Sequence, residues 1–353
     1  MKINKNELSG KLSQLKSIVP AKPVNEALKG VLYADGYLIA SDTNVTVKAR
    51  LEGIEDVVEP FIIPAKAFDF INSLPSGELE ISIDDGNIIF ETGKIRNQFR
   101  TLAAVLFSYN KNIDTEAERA KIPAQKLKKA IEHVIYAVSQ STGNSLMQGL
   151  YLECRDGKLN FVGLDGHRIA WDCIDYEGDF KLIVPRNAME IVKKLDFVGD
   201  ISIYYDQNGV LFKSDEFEVY TRVIQGEYYK YTSMFNKGTL FTIVERRVLM
   251  EAINRAKLCG SAEDKQPVIM NMEGEAIRIT YRGVAAEYHE DIPVMEPFEN
   301  DLRIGFNPLL VLDCLKAFEC ENVTLEFTSD KLPMLIKADD SDMIALILPV
   351  AIK

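Results

Sequence analysis

Residues 153–174, ECRDGKLNFVGLDGHRIAWDCI, alternate apolar and polar positions on both sides of an Asp-Gly pair, which is the pattern of two antiparallel strands joined by a tight turn. The same strand-turn-strand signature occurs at 33–51 (YADGYLIASDTNVTVKARL) and at 272–292 (MEGEAIRITYRGVAAEYHEDI), and Asp35 and Asp156 lie 121 residues apart. A helix-like run precedes each hairpin: ELSGKLSQLKSI from Glu7, AQKLKKAIEHVIYA from Ala124 and ERRVLMEAINRAK from Glu245. A second follows it: IPAKAFDFINSL from Ile63, VPRNAMEIVKKL from Val184 and FNPLLVLDCLKAF from Phe306. Pro64 to Pro185 is 121 residues and Pro185 to Pro308 is 123. Two more alternating strands close each copy. A helix, hairpin, helix and hairpin kept in order three times make an internal repeat, which constrains the fold more than any single residue.

Period-2 alternation, as at Ile201, Ile203 and Tyr205, broken by Asp-Gly and Asn-Gly turns, predicts antiparallel sheets with two helices per copy. The expected class is α+β, with helices on one side of the sheets. A chain of 353 residues, 47% apolar, is long enough for several cores, and the repeat divides it into domains at 1–116, 117–238 and 239–353. Three such domains in an open arc leave strand edges at both ends. Head-to-tail closure with a second chain would remove them, giving a six-domain ring where the rotation between domains allows it, an angle the sequence alone does not fix.

The net charge of −12 argues against a polyanionic partner until its distribution is considered. The helix-like runs at 6–18, 65–74, 124–137, 186–195, 245–257 and 307–318 hold 14 Lys or Arg against 7 Asp or Glu, so the rest of the chain carries −19. Helix propensity would enrich Glu as readily as Lys, and Glu is not enriched there. Base on helices and acid elsewhere predicts a helical surface facing a polyanion.

Other classes find no support. The five cysteines (Cys154, Cys173, Cys259, Cys314, Cys320) form no C-x-x-C pair and read as small buried residues in a reducing compartment. His133, His167 and His289 have no metal-ligand spacing, and neither a G-x-x-x-x-G-K nor a G-x-G-x-x-G loop occurs. The start MKINKNELSGKLSQ lacks a signal-peptide core and no apolar run has membrane-spanning length, so a cytoplasmic protein without membrane association is expected. Asp165 and His167 together invite an acid-base reading, but Asp-Gly is equally a turn signal and no nucleophile motif accompanies them.

The stretches GLYLECRDGKLNFVGLDGHRIA (149–170), IVPRNAMEIVKKL (183–195), GFNPLLVLDCLKAFECENVTLEF (305–327) and LILPV (346–350) resemble the bacterial DNA polymerase III beta subunit, the sliding-clamp family. The resemblance runs through the whole chain in order and is weakest in the first domain. It implies three repeated DNA-clamp domains forming half of a closed six-domain ring. Such a homodimer encircles double-stranded DNA without reading its sequence and serves as a processivity factor. The family's partners would be an alpha-type replicative DNA polymerase subunit, a clamp loader and other proteins carrying clamp-binding motifs. No catalytic residue, metal or cofactor is implied.

Carried over by resemblance, a partner-peptide cleft between the second and third domains would use Met147, Leu164, Gly166, His167, Arg168, Ile169, Leu346, Ile347, Leu348, Pro349 and Val350. Its apolar character suits an extended peptide with leucine and phenylalanine anchors. Lys22 lies at the family's basic position in the first-domain loop, and Lys126, Lys129, Lys193, Lys194, Arg246, Arg247 and Lys257 lie on the helix-like runs that would face DNA. Phe107 matches the family's interface aromatic, with Leu258 and Cys259 opposite it across the ring interface. Three departures stand out. Glu227-Tyr228-Tyr229-Lys230-Tyr231, then Thr232-Ser233-Met234, replaces the family's Phe-Pro-Asp-Tyr-like segment and its basic residues. Ser141 to Leu146 replaces a basic-aromatic stretch, and Ala351-Ile352-Lys353 stands where the family has an arginine and a final leucine.

Overall fold

The computed structural model describes all residues except 55–58, 111–112, 114–117, 142, 261–265, 285, 299 and 353. The expected domain boundary at 116 and 117, and the departures at Thr142 and Lys353, lie outside the described residues. The six helix-like runs are helical. They are α1 (Lys5–Leu15), α2 (Phe68–Ser73, after a 3-10 turn at Ala65–Ala67), α3 (Ala124–Ile135), α4 (Arg186–Lys194), α5 (Arg246–Leu258) and α6 (Pro308–Ala317). In α1, Leu8, Leu12 and Leu15 recur at helical spacing and are buried, while the Asn4 side chain caps the N-terminus by accepting from the N–H groups of Asn6 and Glu7. Asn307 does the same for α6 with Leu309, and Pro308 takes the first helical turn, where a missing N–H costs nothing. No described helix is long and apolar enough to cross a membrane.

The chain divides into two compact units, one of Met1–Lys128 with Asn187–Val223 and the other of Lys129–Arg186 with Ile224–Lys353. The first contains an eight-stranded antiparallel sheet in the order Phe61–Pro64, Gly30–Ala34, Tyr37–Ser41, Val45–Arg50, Phe217–Arg222, Gly209–Lys213, Asp200–Tyr205, Ala120–Pro123. Its four-stranded sheet runs Lys2–Asn4, Glu78–Asp84, Asn87–Thr92, Ile95–Arg100. The second unit repeats the plan. Its eight strands run Lys181–Pro185, Gly149–Arg155, Lys158–Leu164, Arg168–Asp175, Ile344–Ile347, Met334–Lys337, Asn322–Phe327, Leu240–Glu245. Its four-stranded sheet runs Glu287–Pro293, Ala276–Arg282, Val268–Glu273, Leu302–Phe306. Each eight-stranded sheet therefore joins strands from two sequence repeats, through Val45–Arg50 with Phe217–Arg222 in one and Arg168–Asp175 with Ile344–Ile347 in the other.

The hairpins form where the turn chemistry places them. Asp35-Gly36 and Asp156-Gly157 have φ of 51° and 79°, and of 56° and 75°, the left-handed pair that a two-residue turn requires. Strand pairing also corrects the repeat register. Gly30 opposes Pro64, Gly149 opposes Pro185 and Val268 opposes Phe306, so the third-copy equivalent of Pro185 is Phe306, again 121 residues on, and Pro308 lies two residues beyond. In the second unit, Leu249 and Ile253 of α5 and Leu312 and Leu315 of α6 pack with Phe306 and Phe327 in one core.

The repeat seam of the first unit carries a charge pair. Glu218 sits opposite Lys48 across the seam and opposite Lys213 on the other side, with its oxygens 3.1 Å and 3.0 Å from their Nζ atoms. Burial pushes the Glu218 carboxyl up, but the Lys213 and Lys48 ammonium groups outweigh it and hold the pKa below its ordinary value of 4.5. A depressed pKa contributes stability that is fully present above the ordinary carboxylate value and is lost as pH falls through the folded one. Glu218→Gln is therefore expected to lower the urea midpoint at neutral pH and to flatten its decline below pH 4.5. An acid limb with the parent's slope would show that Glu218 is not held this way.

Candidate partner groove

The turn at Leu164 to Arg168 is organised by one carboxylate. Asp165 Oδ1 accepts from the N–H groups of His167 (2.9 Å) and Arg168 (3.1 Å), and its Oδ2 accepts from Arg168 Nε (2.9 Å). Gly166 takes φ of +88°, which a side chain would strain. With both oxygens engaged in the turn, Asp165 is a structural acceptor here, and the His167 carbonyl accepts the N–H of Leu348 at 2.9 Å. The exposed His167 thus helps hold the extension of the strand Ile344–Ile347 beside the turn.

Strand register then builds an apolar row. Leu335 opposes Leu346, Leu346 opposes Ile169, and Ile169 opposes Leu164, so four strands present one face of aligned side chains. These residues line a groove of about 450 Å³ together with Met147, Gly166, Arg168, Tyr229, Met234, Asn236, Thr328, Leu332, Pro333 and Leu348. Of the cleft residues expected from sequence, Met147, Leu164, Gly166, Arg168, Ile169, Leu346 and Leu348 line it. His167, Ile347, Pro349 and Val350 do not. Ile347 is one residue out of phase with Leu346, so its side chain enters the core on the opposite face. Val350 donates its N–H to the Gly305 carbonyl at 2.8 Å, which ties it to the strand Leu302–Phe306.

The tyrosine-rich segment 227–235 supplies a wall that the sequence reading did not assign. Tyr228 stacks on Tyr151 with ring centroids 4.4 Å apart, and the Tyr231 hydroxyl donates to the buried Glu153 at 2.8 Å. Burial first, and then the Glu153 carboxylate, push the Tyr231 hydroxyl well above its ordinary pKa. With its neighbours anchored, Tyr229 lines the groove, and its hydroxyl accepts from Asn144 Nδ2 at 2.7 Å. The doubled tyrosine was visible in the sequence as a departure, but only the pairing of its neighbours shows which ring turns to the groove.

Among the described residues, Arg168 is the one charged residue of the lining. Its Nε donates to Asp165, its Nη1 to Asp313 Oδ2 at 3.0 Å and its Nη2 to the Tyr136 carbonyl at 2.8 Å, with the guanidinium 5.1 Å from the centre of the Tyr136 ring. All three nitrogens are committed within the chain.

The basic residues expected to face DNA have different surroundings. Lys22, Lys126, Lys194 and Lys257 are exposed. Lys129 Nζ lies 2.7 Å from Glu319, whose hydrogen bond raises the lysine pKa. Lys193 is half-buried beside Glu190 at 3.6 Å, and Arg247 lies between Glu245 and Glu251 at 3.6 and 3.9 Å. Arg246 corrects the expectation. Its Nε and Nη1 donate to the carbonyls of Cys320 and Leu315 at 2.8 and 3.1 Å, so it satisfies the C-terminal end of α6 instead of standing free for phosphate.

Phe107 is only 6% exposed within its own chain, packed with Leu28, Leu32, Ile39 and Ile62 and edge-on to Tyr109, and beside it Val105 and Leu106 are exposed apolar groups. Leu258 is 74% exposed at the end of α5, and Cys259 beside it is half-buried.

The family model for the DNA polymerase III beta subunit central domain matches residues 121–230, and that for its C-terminal domain matches residues 236–351. A beta sliding clamp of Rickettsia bellii is 28% identical, with 95% of each chain covered, and one of Bacillus subtilis is 25% identical over 93% of this chain and 92% of its own. Crystal structures of the Thermotoga maritima DNA polymerase III beta subunit (22% identity, TM-score 0.91) and the Bacillus subtilis DNA polymerase sliding clamp (22%, 0.90) cover this whole chain and 99% of their own, and show the same fold. Two matched domains over more than half of the chain, with full-length relatives of the same kind, place this protein in the DNA polymerase III beta subunit family, the beta sliding clamps.

Proposed function

We propose that two copies of this chain close head to tail into a ring around duplex DNA and hold a replicative polymerase on it, without catalysing a reaction. Family membership carries the reading. In the proposed division, residues 1–116, 117–238 and 239–353 are the three clamp domains, and the surplus base on the six helices faces the duplex. Lys22, Lys126, Lys129, Lys193, Lys194, Arg247 and Lys257 would make sequence-independent phosphate contacts, weak enough for sliding. The groove lined by Leu164, Ile169, Leu335 and Leu346 receives an apolar-anchored peptide from the polymerase, and other replication and repair proteins share it. A separate ATP-driven loader opens the ring.

Two sheet ends support closure. The strand Ile95–Arg100 ends one four-stranded sheet and carries Arg96 and Arg100, whereas Glu287–Pro293 ends the other and carries Glu287, Glu290 and Asp291. Glu287, Glu290, Asp291 and Arg96 are each paired within their own chain, so the fit rests on the backbone: head-to-tail pairing of the two strands would remove both open edges. Exposed Leu258, Val105 and Leu106 add apolar area for the same junction. Light scattering at low micromolar concentration is expected to give a mass near twice the 39.7 kDa chain. A stable mass of one chain would overturn the two-chain ring.

A further inference from the structure

We propose that Asp313 is a positioning residue for peptide capture, holding Arg168 from behind so that the groove wall is set before a peptide arrives. The inference rests on the groove being the partner site and goes beyond it by naming a residue outside the lining. Asp313 belongs to α6, and its Oδ2 lies 3.0 Å from Arg168 Nη1. The Tyr136 carbonyl, one residue past the end of α3, accepts from Arg168 Nη2. Asp165 takes Nε, so three nitrogens are fixed by three separate elements, the Asp165 turn, the end of α3 and the face of α6.

A planar guanidinium held at three points cannot swing, and its side chain is only 11% exposed. Arg168 therefore serves the groove as a fixed wall and not as a mobile cation seeking a carboxylate. A long side chain that is already ordered spares the peptide that ordering cost on binding. Removing Asp313 takes away one of the three points while leaving every lining residue in place. Arg168 regains rotamer freedom in the unbound protein, and the peptide must then order it.

The test uses the full-length protein and a fluorescein-labelled extended hexapeptide carrying one leucine and one phenylalanine, followed by fluorescence polarisation. Asp313→Ala is expected to weaken binding about three- to tenfold. The melting temperature should stay near the parent's, since a partner 42% exposed contributes little to stability. In an Arg168→Met background, Asp313→Ala should cause no further loss, because its effect runs through Arg168. Asp313→Glu, which keeps the charge, should recover part of the affinity.

Parent-like affinity for Asp313→Ala overturns the proposal. An equal further loss in the Arg168→Met background also overturns it, by assigning the effect to α6 itself. If Asp313→Ala lowers the melting temperature, Asp313→Asn is used in its place under the same criteria. Should the parent protein fail to bind the hexapeptide while a mass of two chains is found, the groove reading fails first, and that failure is distinct from parent binding without an Asp313 effect.

Discussion

Replacing His133 with alanine should destabilise the unit that contains it by about 3–5 kcal/mol, the combined cost of a cavity and of a buried polar group left without its partner. His133 on α3 and Asp172 on the strand Arg168–Asp175 are both buried, with Nδ1 and Oδ2 2.7 Å apart. The other Asp172 oxygen accepts the N–H of Cys173 at 2.8 Å. Removing the imidazole leaves a carboxylate with one backbone partner in a site away from water, and a cavity beside it. Asp172→Asn should cost less, because the amide keeps an acceptor for the Cys173 N–H and offers His133 a neutral partner. Replacing both residues by leucine should cost less than His133→Ala alone, since no buried polar group is left without its partner. Trp171, the only tryptophan of the chain, is the next residue along the strand and donates to Asn160, so its fluorescence reports on this sheet. With a urea slope of about 2 kcal/mol/M, the His133→Ala midpoint should fall by roughly 1.5–2.5 M. A shift below about 0.5 M would mean that the carboxylate finds solvent or another partner when the imidazole is gone.

The second large effect concerns DNA. Once loaded, the ring should stay on nicked circular DNA at a salt concentration that abolishes binding of the unloaded chain, and should be lost when that DNA is cut. Phosphate contacts weaken steeply as salt releases the advantage of displacing counterions, by orders of magnitude across a few-fold change in concentration. A closed ring on a closed circle has no exit that depends on those contacts. The ratio of retained protein on circular to linear DNA should therefore rise with salt, because contacts that slow sliding off the linear form are removed while the topological link is not. Gel filtration of loaded DNA before and after a single restriction cut measures this. Equal loss from both forms would leave only electrostatic attachment, which a chain of net charge −12 is poorly built to supply.

Much of this arrangement was legible in the residues. Turn chemistry located the hairpins at Asp35-Gly36 and Asp156-Gly157, and apolar spacing located the helices, because both signals depend on neighbours within a few positions. The resemblance supplied about half of the groove lining. It missed at Ile347, which a one-residue change of phase sends to the core, and it does not tell a core ring from an interface ring at Phe107, since an apolar ring looks the same whether its own chain or another covers it. Arg246 failed for a related reason. A basic residue on a helix does not declare whether it faces solvent or the carbonyls of a neighbouring helix end.

The sequence by itself determined the threefold repeat, the α+β class, the hairpin turns and the family, all of which are encoded in local periodicity and short motifs. Only the tertiary structure decided that Arg168–Asp175 pairs with Ile344–Ile347, some 170 residues away, so that Leu164, Ile169, Leu346 and Leu335 form one row. It also decided that Asp313 and the end of α3 hold Arg168 behind that row. Strand order and the partners of a buried charge are settled by which surfaces meet when the core closes. That choice depends on long-range packing and the satisfaction of buried polar groups, neither of which leaves a mark at fixed sequence spacing.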